Sequence, residues 1–402
     1  MYRNIAGLQI KDKVIIVCML FAGFASFLSD SINSIALYVA IPLAFLITFF
    51  DKKSLTNRSF KILIVLVIWL FLSTIWATYT DIAMRQNKQI LGGVLVAYIV
   101  AKNASRKNML PWMYSIWIAL YLSAIYYANT NIIADITIGE ERLNDEKLNA
   151  NMLGYYTFYF TFLIYVLGEI LQKVWLRKIF EILFLGTLFM SFFVAIITAS
   201  RQVLIIQIPL IAFLLYDRYL KGASVKVRLL FILCTVAFVM IFREQALNIY
   251  DNSLLKVRNE IGIEDDSRTL LAKDAFKVGM NHFLWGVGNG NYVKYSYNQH
   301  FSHNTYLELF VNTGIIGFFI YLYMLIMYFN VQFKRYRYTG DKLFLMFMIF
   351  GVIYSLDNIF YVFYPYQWLI AFFILVSAHS DAYYNKKYQN VNENKNYTSQ
   401  RC

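Results

Sequence analysis

The sequence predicts an all-α polytopic membrane protein, and three observations carry that prediction. Of its 402 residues, 59% are hydrophobic and only 15% are charged. The apolar residues fall in long runs broken by short charged patches, and most runs approach the ~20 residues that a helix needs to cross a bilayer. Lys and Arg are shared unevenly between alternate connections, as in a chain threaded back and forth through a membrane.

Twelve runs qualify as spans: 14–28, 34–50, 62–80, 90–101, 109–128, 152–171, 179–198, 203–216, 229–242, 306–333, 343–358 and 360–378. The first, VIIVCMLFAGFASFL after KDK, has the look of a signal peptide. With many spans behind it, an uncleaved signal anchor is the better reading. The runs 90–101, 203–216 and 229–242 are short, so their helices should borrow flanking polar residues or sit partly inside the bundle. Residues 1–378 then form one transmembrane domain and 379–402 a polar cytoplasmic tail, of which NKKYQNVNENKNYTSQRC is expected to be disordered.

Orientation follows from the cations. The N-terminus, 51–61, 102–108, 172–178, 217–228, 334–342 and the tail hold 25 of the 37 Lys and Arg residues. The alternate set holds 12, of which seven lie in the one long loop, 243–305, leaving 25 against 5 among short connections. Long loops barely influence orientation, so both termini are expected in the cytoplasm. The net charge of +13 reflects this topology and contact with anionic headgroups, and no nucleic-acid partner is expected. Cys18, Cys234 and Cys402 imply no disulfide framework, and the sequons at Asn57, Asn103 and Asn396 fall on the cytoplasmic side.

Two outer connections, 129–151 and 243–305, are too short for an ordinary soluble domain, which leaves chemistry to the lip of the bundle. In the longer one, DDSRTLLAKDAFKVGMNHF has helical periodicity. Asp266 or Ser267 is a suitable N-cap, Leu271, Ala275 and Val278 share a face, and Lys273 and Lys277 point to water. Arg268 falls on the apolar face. It is either a snorkelling side chain or an anion ligand at a helix N-terminus. The following LWGVGNGNY lacks the strand-then-helix context and the fourth-position glycine of a nucleotide loop, so its glycines predict tight turns.

The stretch HFSHNTYLELFVNTGIIGFF, 300–319, opens the tenth run. Asn304, Glu308 and Asn312 recur every fourth residue and descend ~12 Å at 1.5 Å per residue. Such a stripe must face a cavity or partner helices rather than lipid. Gly314 and Gly317 fall on a neighbouring face and suggest close helix approach. His303 is either a helix cap or a functional imidazole. Arg142, Arg201, Arg268, His303 and Asp357 all lie on the outer side, where the positive-inside rule depletes arginine, and a bound polyanion explains that cluster.

The run from Arg268 through HFLWGVGNGNY to SHNTYLELFVNTGIIGF resembles the conserved region of the bacterial O-antigen ligase and polymerase superfamily. TASRQ, around Arg201, resembles that family's arginine-bearing outer turn, and ERLNDEKLNAN, from Arg142, resembles its Arg-then-Asn segment, although the glycine often found between the two is absent. The resemblance implies a GT-C-like membrane glycosyltransferase. It would transfer a glycan from undecaprenyl diphosphate to an acceptor glycan or glycolipid at the outer face.

In that role Arg201 and Arg268 stabilise the diphosphate leaving group, and His303 orients or deprotonates the attacking hydroxyl. Arg142, Asn304, Glu308 and Asp357 complete the substrate-binding set. No cofactor is expected. No metal is either, since the outer loops hold no H-E-x-x-H and no D-x-D. The resemblance leaves two readings open: a polymerase that joins repeat units of O-antigen, capsule or exopolysaccharide, or a ligase that attaches the finished chain to lipid A core. A polysaccharide or lipid-carrier transporter is the reading from another class, but it predicts two similar halves and mid-membrane charges, which the sequence lacks.

Overall fold

The computed structural model describes residues 8–51, 57–106, 108–131, 150–170, 174–197, 209–210, 212–233, 267–360 and 367–389, with a few single residues between them. All regular structure among these is helical. The chain divides into two compact units, Met1–Leu120 with Glu264–Cys402, and Tyr121–Ile263.

The first unit contains α1 (Ile10–Ala25), α2 (Asp30–Phe49, with a π-turn over Ala36–Ala40), α3 (Arg58–Ile75, ending in a 3-10 turn) and α4 (Thr80–Ala104). α5 (Leu110–Asn131) begins in it. After the long loop come α8 (Ser267–Asn281), the single turn α9 (Tyr292–Tyr295), α10 (Thr305–Thr339), α11 (Lys342–Phe360) and α12 (Gln367–Tyr384). The second unit contains α6 (Ala150–Ile170) and α7 (Val174–Ile197), which pack together. There Arg218 is nearly buried between Glu169 and Glu181, and the Tyr165 hydroxyl donates to Asp217.

Among the described residues four helices are long and apolar enough to cross a membrane: α2, α3, α10 and α11. α3 shows why a helix of this composition needs lipid. It buries Leu63, Leu66 and Leu70 but leaves Val65, Ile68 and Ile75 exposed. In water such a face would be an aggregation surface; in hydrocarbon it is solvated. The short run at 90–101 lies in α4, which starts at Thr80 and carries Asp81, Arg85, Asn87 and Lys88 within its helix.

In the first unit polar contacts gather at two places. At one end Arg106 makes a two-pronged pair with Asp12 (2.6 Å to each oxygen), and Lys102 Nζ caps α2 by donating to the Phe49 carbonyl at 3.3 Å and also donates to the Asp51 carbonyl at 2.7 Å. Asn57 donates to Asp381 at 2.9 Å, and Asp381 pairs with Arg335 at 2.7 Å. These residues belong to the N-terminus and the connections 51–61, 102–108, 334–342 and the segment after 378, the set richest in Lys and Arg. At the other end Ser73, Thr78 and Tyr79 contact Asn289, Tyr295 and Asn291 of the long loop.

The carboxy-terminal boundary differs from expectation. α12 continues to Tyr384 and a π-turn covers Asn385–Gln389, five residues into the stretch expected to be disordered. The cause is Asp341. Between α10 and α11 its carboxylate accepts from Lys387 Nζ (2.7 Å), Tyr388 (2.7 Å) and Tyr383 (2.8 Å). Burial pushes the Asp341 carboxyl up, but Lys387, the Leu343 backbone N–H and the two tyrosine hydroxyls outweigh it and hold the group at about 2.

Candidate functional site

The site is built around an interruption in α10. Gly314 has φ 68°, so the hydrogen-bond ladder breaks there. The freed backbone groups find partners in the glycine-rich loop: Val287 N–H donates to the Val311 carbonyl (2.9 Å), Gly288 N–H to the Asn312 carbonyl (2.8 Å), and Ile315 N–H to the Phe283 carbonyl (2.9 Å). Irregular backbone within an apolar span is tolerated only when protein satisfies it, and the loop does so. Glycine is required on both sides. A Cβ at Gly314 would lie 2.1 Å from the Leu284 oxygen, and one at Gly286 would lie 2.5 Å from the backbone of Asn312 to Gly314. Gly314 therefore serves loop insertion rather than the close helix packing expected from its spacing.

The loop itself is a series of turns, as the sequence predicts, with Gly286, Gly288 and Gly290 all at positive φ. Its asparagines peg it to the ends of α3 and α4. Asn289 N–H donates to Ser73 Oγ (3.0 Å) and its amide to Asn87 (2.7 Å), while Asn291 exchanges hydrogen bonds with the Tyr79 backbone (2.8 and 3.1 Å). Beside them Trp69, Trp76 and Trp285 have ring centroids 5.5–5.6 Å apart. Tryptophans gathered at one end of a span mark the membrane–water boundary.

On the loop side of this cluster, which Trp69 joins to the Thr313 carbonyl, runs the polar stripe. Asn304 is the N-cap of α10, its Oδ1 accepting from Tyr306 N–H (2.9 Å) and Leu307 N–H (3.1 Å). Glu308, only 3% exposed, accepts from Ser302 N–H (2.8 Å) through one oxygen and from Asn312 Nδ2 (2.9 Å) through the other. Asn312 in turn accepts from Tyr292 N–H at 2.9 Å. The stripe's hydrogen bonds given above run to the loop and to its own preceding turn. Its side chains frame the segment that holds His303.

His303 is half-buried and its backbone is left-handed, with φ 55°. Capping is done by Asn304, one residue on, so the histidine is not a helix cap. Its ring lies 4.3 Å, centroid to centroid, from that of Phe301. A non-glycine residue held in this region costs about 1–3 kcal/mol and persists only where neighbours impose it. Here Glu308 holds Ser302 on one side and Asn304 anchors the helix on the other.

α8 carries Arg268 as its second residue, half-exposed; Asp266, one of the two expected caps, lies outside the described residues. Leu271 and Ala275 are buried, and Val278 packs with Val287, Tyr292 and Val311 in a small core that joins α8, the loop and α10. Lys273 and Lys277 are exposed, as expected. The Tyr292 hydroxyl reaches the Leu271 carbonyl and Asp274, and burial raises it above the ordinary tyrosine value. Arg268 and His303 thus stand on elements fixed to one another.

Asp357 is fully buried on α11, in the turn that meets the start of α10: Tyr306 donates to the Ser355 carbonyl (3.0 Å) and Tyr321 to Asn358 (2.7 Å). Arg142 and Arg201 lie outside the described residues. No cluster of metal-ligating residues occurs among the described residues. Sequence reasoning missed Ser73, Asn87, Asn289, Asn291 and Ser302. The signal available was the alternation of asparagine with glycine in GVGNGN.

Comparison with known proteins adds one finding. The family model described as O-antigen ligase matches residues 186–322, a segment that includes Arg201, Arg268, His303, Asn304 and Glu308, and it supports membership of the O-antigen ligase/polymerase superfamily. No curated protein matches the chain.

Proposed function

We propose that this chain, carrying an O-antigen ligase domain in an apolar helical scaffold, is a polymerase that joins glycan units on a lipid carrier. The donor is a glycan on undecaprenyl diphosphate, and the acceptor is a sugar of another repeat unit. The observation that carries the reading is the domain match over residues 186–322. In full the proposal has about twelve spans, one long outer loop, both termini in the cytoplasm, and transfer at the outer face of the cytoplasmic membrane. Its transmembrane domain covers 1–378.

In the reaction the acceptor hydroxyl oxygen bonds to the anomeric carbon as the bond from that carbon to the diphosphate oxygen breaks. The hydroxyl proton passes to His303, and undecaprenyl diphosphate leaves. Arg201 and Arg268 stabilise the charge that develops on the leaving oxygen, which is where fixed donors do most for a transition state. Arg142 and Asp357 contact substrate. Asn304 and Glu308 act by positioning His303. The arginines supply the charge compensation, so no metal is needed. The description of the matched family favours a second reading, in which the acceptor is lipid A core and the enzyme a ligase.

Purified protein with lipid-linked donor tests these points together. His303→Ala should lower transfer by ~10² to 10⁴-fold, the usual contribution of a general base, with the protein still inserted. His303→Gln should recover part of this if the ring mainly orients, and EDTA should leave the wild type active. Full activity of His303→Ala refutes the assignment. Loss of wild-type activity in EDTA refutes the metal-free mechanism, and transfer to lipid A core alone replaces the polymerase with the ligase.

A further inference from the structure

At the end of α10 opposite His303, a cavity of about 450 Å³ lies among α3, α10 and α12. Three cations line it, Arg58, Lys334 and Arg335, against one carboxylate, Asp381. Arg335 is already committed. It donates to Ser380 Oγ (2.9 Å) and to Asp381 Oδ1 (2.7 Å), and its guanidinium stacks 4.9 Å above the Tyr384 ring. The other Asp381 oxygen accepts from Asn57 at 2.9 Å. Arg58 and Lys334 are exposed and pair with no carboxylate among the described residues, so the cavity keeps a net positive charge.

The wall changes character with depth. Met327, Tyr328 and Val331 also line the cavity, one to two turns before Lys334 on α10, hence ~5–10 Å further into the spanning segment, with Gln332 and Ser377 as the polar residues beside them. The first turn of α3, with Arg58 and Ser59 at the cavity, directs its free backbone N–H groups to the same end as the cations. A cationic mouth above an apolar wall, in a helix long enough to cross a bilayer, fits an amphiphile with a phosphate head. A free phosphate would use the mouth and leave the apolar wall unoccupied.

We propose that this cavity binds the phosphate headgroup of an anionic lipid, in the leaflet opposite the transfer site, with the lipid chain along Met327 and Val331. Arg58 and Lys334 contact the phosphate. Arg335, fixed by Asp381 and Tyr384, forms the floor under it. The site is separate from the reaction at His303 and does not depend on it.

The test uses the full chain, purified in detergent and stripped of lipid, with retained molecules counted by native mass spectrometry. The probes are phosphatidylglycerol, phosphatidylcholine and inorganic phosphate. Phosphatidylglycerol should bind in preference to phosphatidylcholine, and Arg58→Gln/Lys334→Gln should weaken it roughly 30-fold, from about one factor of five per cation at a membrane surface. Both side chains are exposed and unpaired, so the variant should fold. Lys61→Gln/Arg337→Gln, exposed on the same helices but outside the cavity, should bind as the wild type does. Equal binding of phosphatidylcholine, an unaffected Arg58→Gln/Lys334→Gln variant, or an equal loss in the control would overturn the site. Inorganic phosphate binding as tightly as the lipid would overturn its lipid character.

Discussion

Glu308→Gln is the change that best separates a residue framing the site from one touching substrate. Both Glu308 oxygens accept, one from Ser302 N–H and the other from Asn312 Nδ2. A glutamine offers one acceptor, so its NH₂ must face one of those donors. Turning Asn312 over does not help, because its Oδ1 already accepts from Tyr292 N–H and the clash would move there. One buried donor is left unsatisfied in every arrangement, at about 2 kcal/mol, or roughly a thirty-fold shift away from the closed turn that holds His303. The transfer rate should fall by up to that factor with expression unchanged. The decisive measurement adds Asn312→Asp. An aspartate there accepts from Tyr292 N–H and from the NH₂ of the introduced glutamine, whose Oε1 accepts from Ser302 N–H, so Glu308→Gln/Asn312→Asp should regain most of the lost rate. In a double-mutant cycle the coupling should be about 1–3 kcal/mol and favourable. Additive losses, or wild-type activity in Glu308→Gln, would refute the framing role.

Three further outcomes are expected. Arg201→Ala and Arg268→Ala should abolish transfer with the protein still inserted, and lysine should rescue poorly because an ammonium lacks the planar two-pronged contact with phosphate; near-normal product from both lysine variants would reduce these arginines to bulk charge. A reporter active only outside the cytoplasm should work when fused after residue 260 and be silent after residue 222, and the reverse result would overturn the orientation. The Asp341 clamp should weaken in acid: its folded value, about 2, lies below the ordinary aspartate value of 3.8, so its stabilisation is present above about pH 4 and lost as pH falls through about 2. With the partner Lys387 half-exposed the effect should be only ~1 kcal/mol, read as faster proteolysis after Tyr384 near pH 2, and Asp341→Asn should show that sensitivity already at neutral pH.

The helical, membrane-crossing character was legible because it depends on composition, and composition survives without knowledge of neighbours. The face of α8 was legible too, since Leu271, Ala275 and Val278 repeat at helical spacing and two exposed lysines mark the other side. Positive φ at Gly286, Gly288 and Gly290 followed from a glycine run that no regular element accommodates. Gly314 was not legible. In an apolar run a glycine serves equally for helix contact or for a break, and only the arrival of Phe283 to Gly288 at its backbone decides between them. The helical continuation through Gln389 depends on Asp341, more than forty residues earlier in the chain, which no local pattern encodes.

The stripe of Asn304, Glu308 and Asn312 shows how one pattern leaves two uses open. Polar residues every fourth position in an apolar span must be satisfied, and the sequence offers two ways: a cavity with substrate, or protein. The structure commits their described hydrogen bonds to protein, and the reason lies one residue upstream. His303 has a left-handed backbone that costs about 1–3 kcal/mol, comparable with one or two buried hydrogen bonds, so it needs a frame of about that strength. Ser302 N–H held by Glu308, and Tyr306 and Leu307 N–H held by Asn304, supply it. An imidazole needed only as a cap would sit at Asn304 with ordinary backbone angles. A half-buried asparagine and two buried polar side chains arranged around a strained turn are what an aimed imidazole requires.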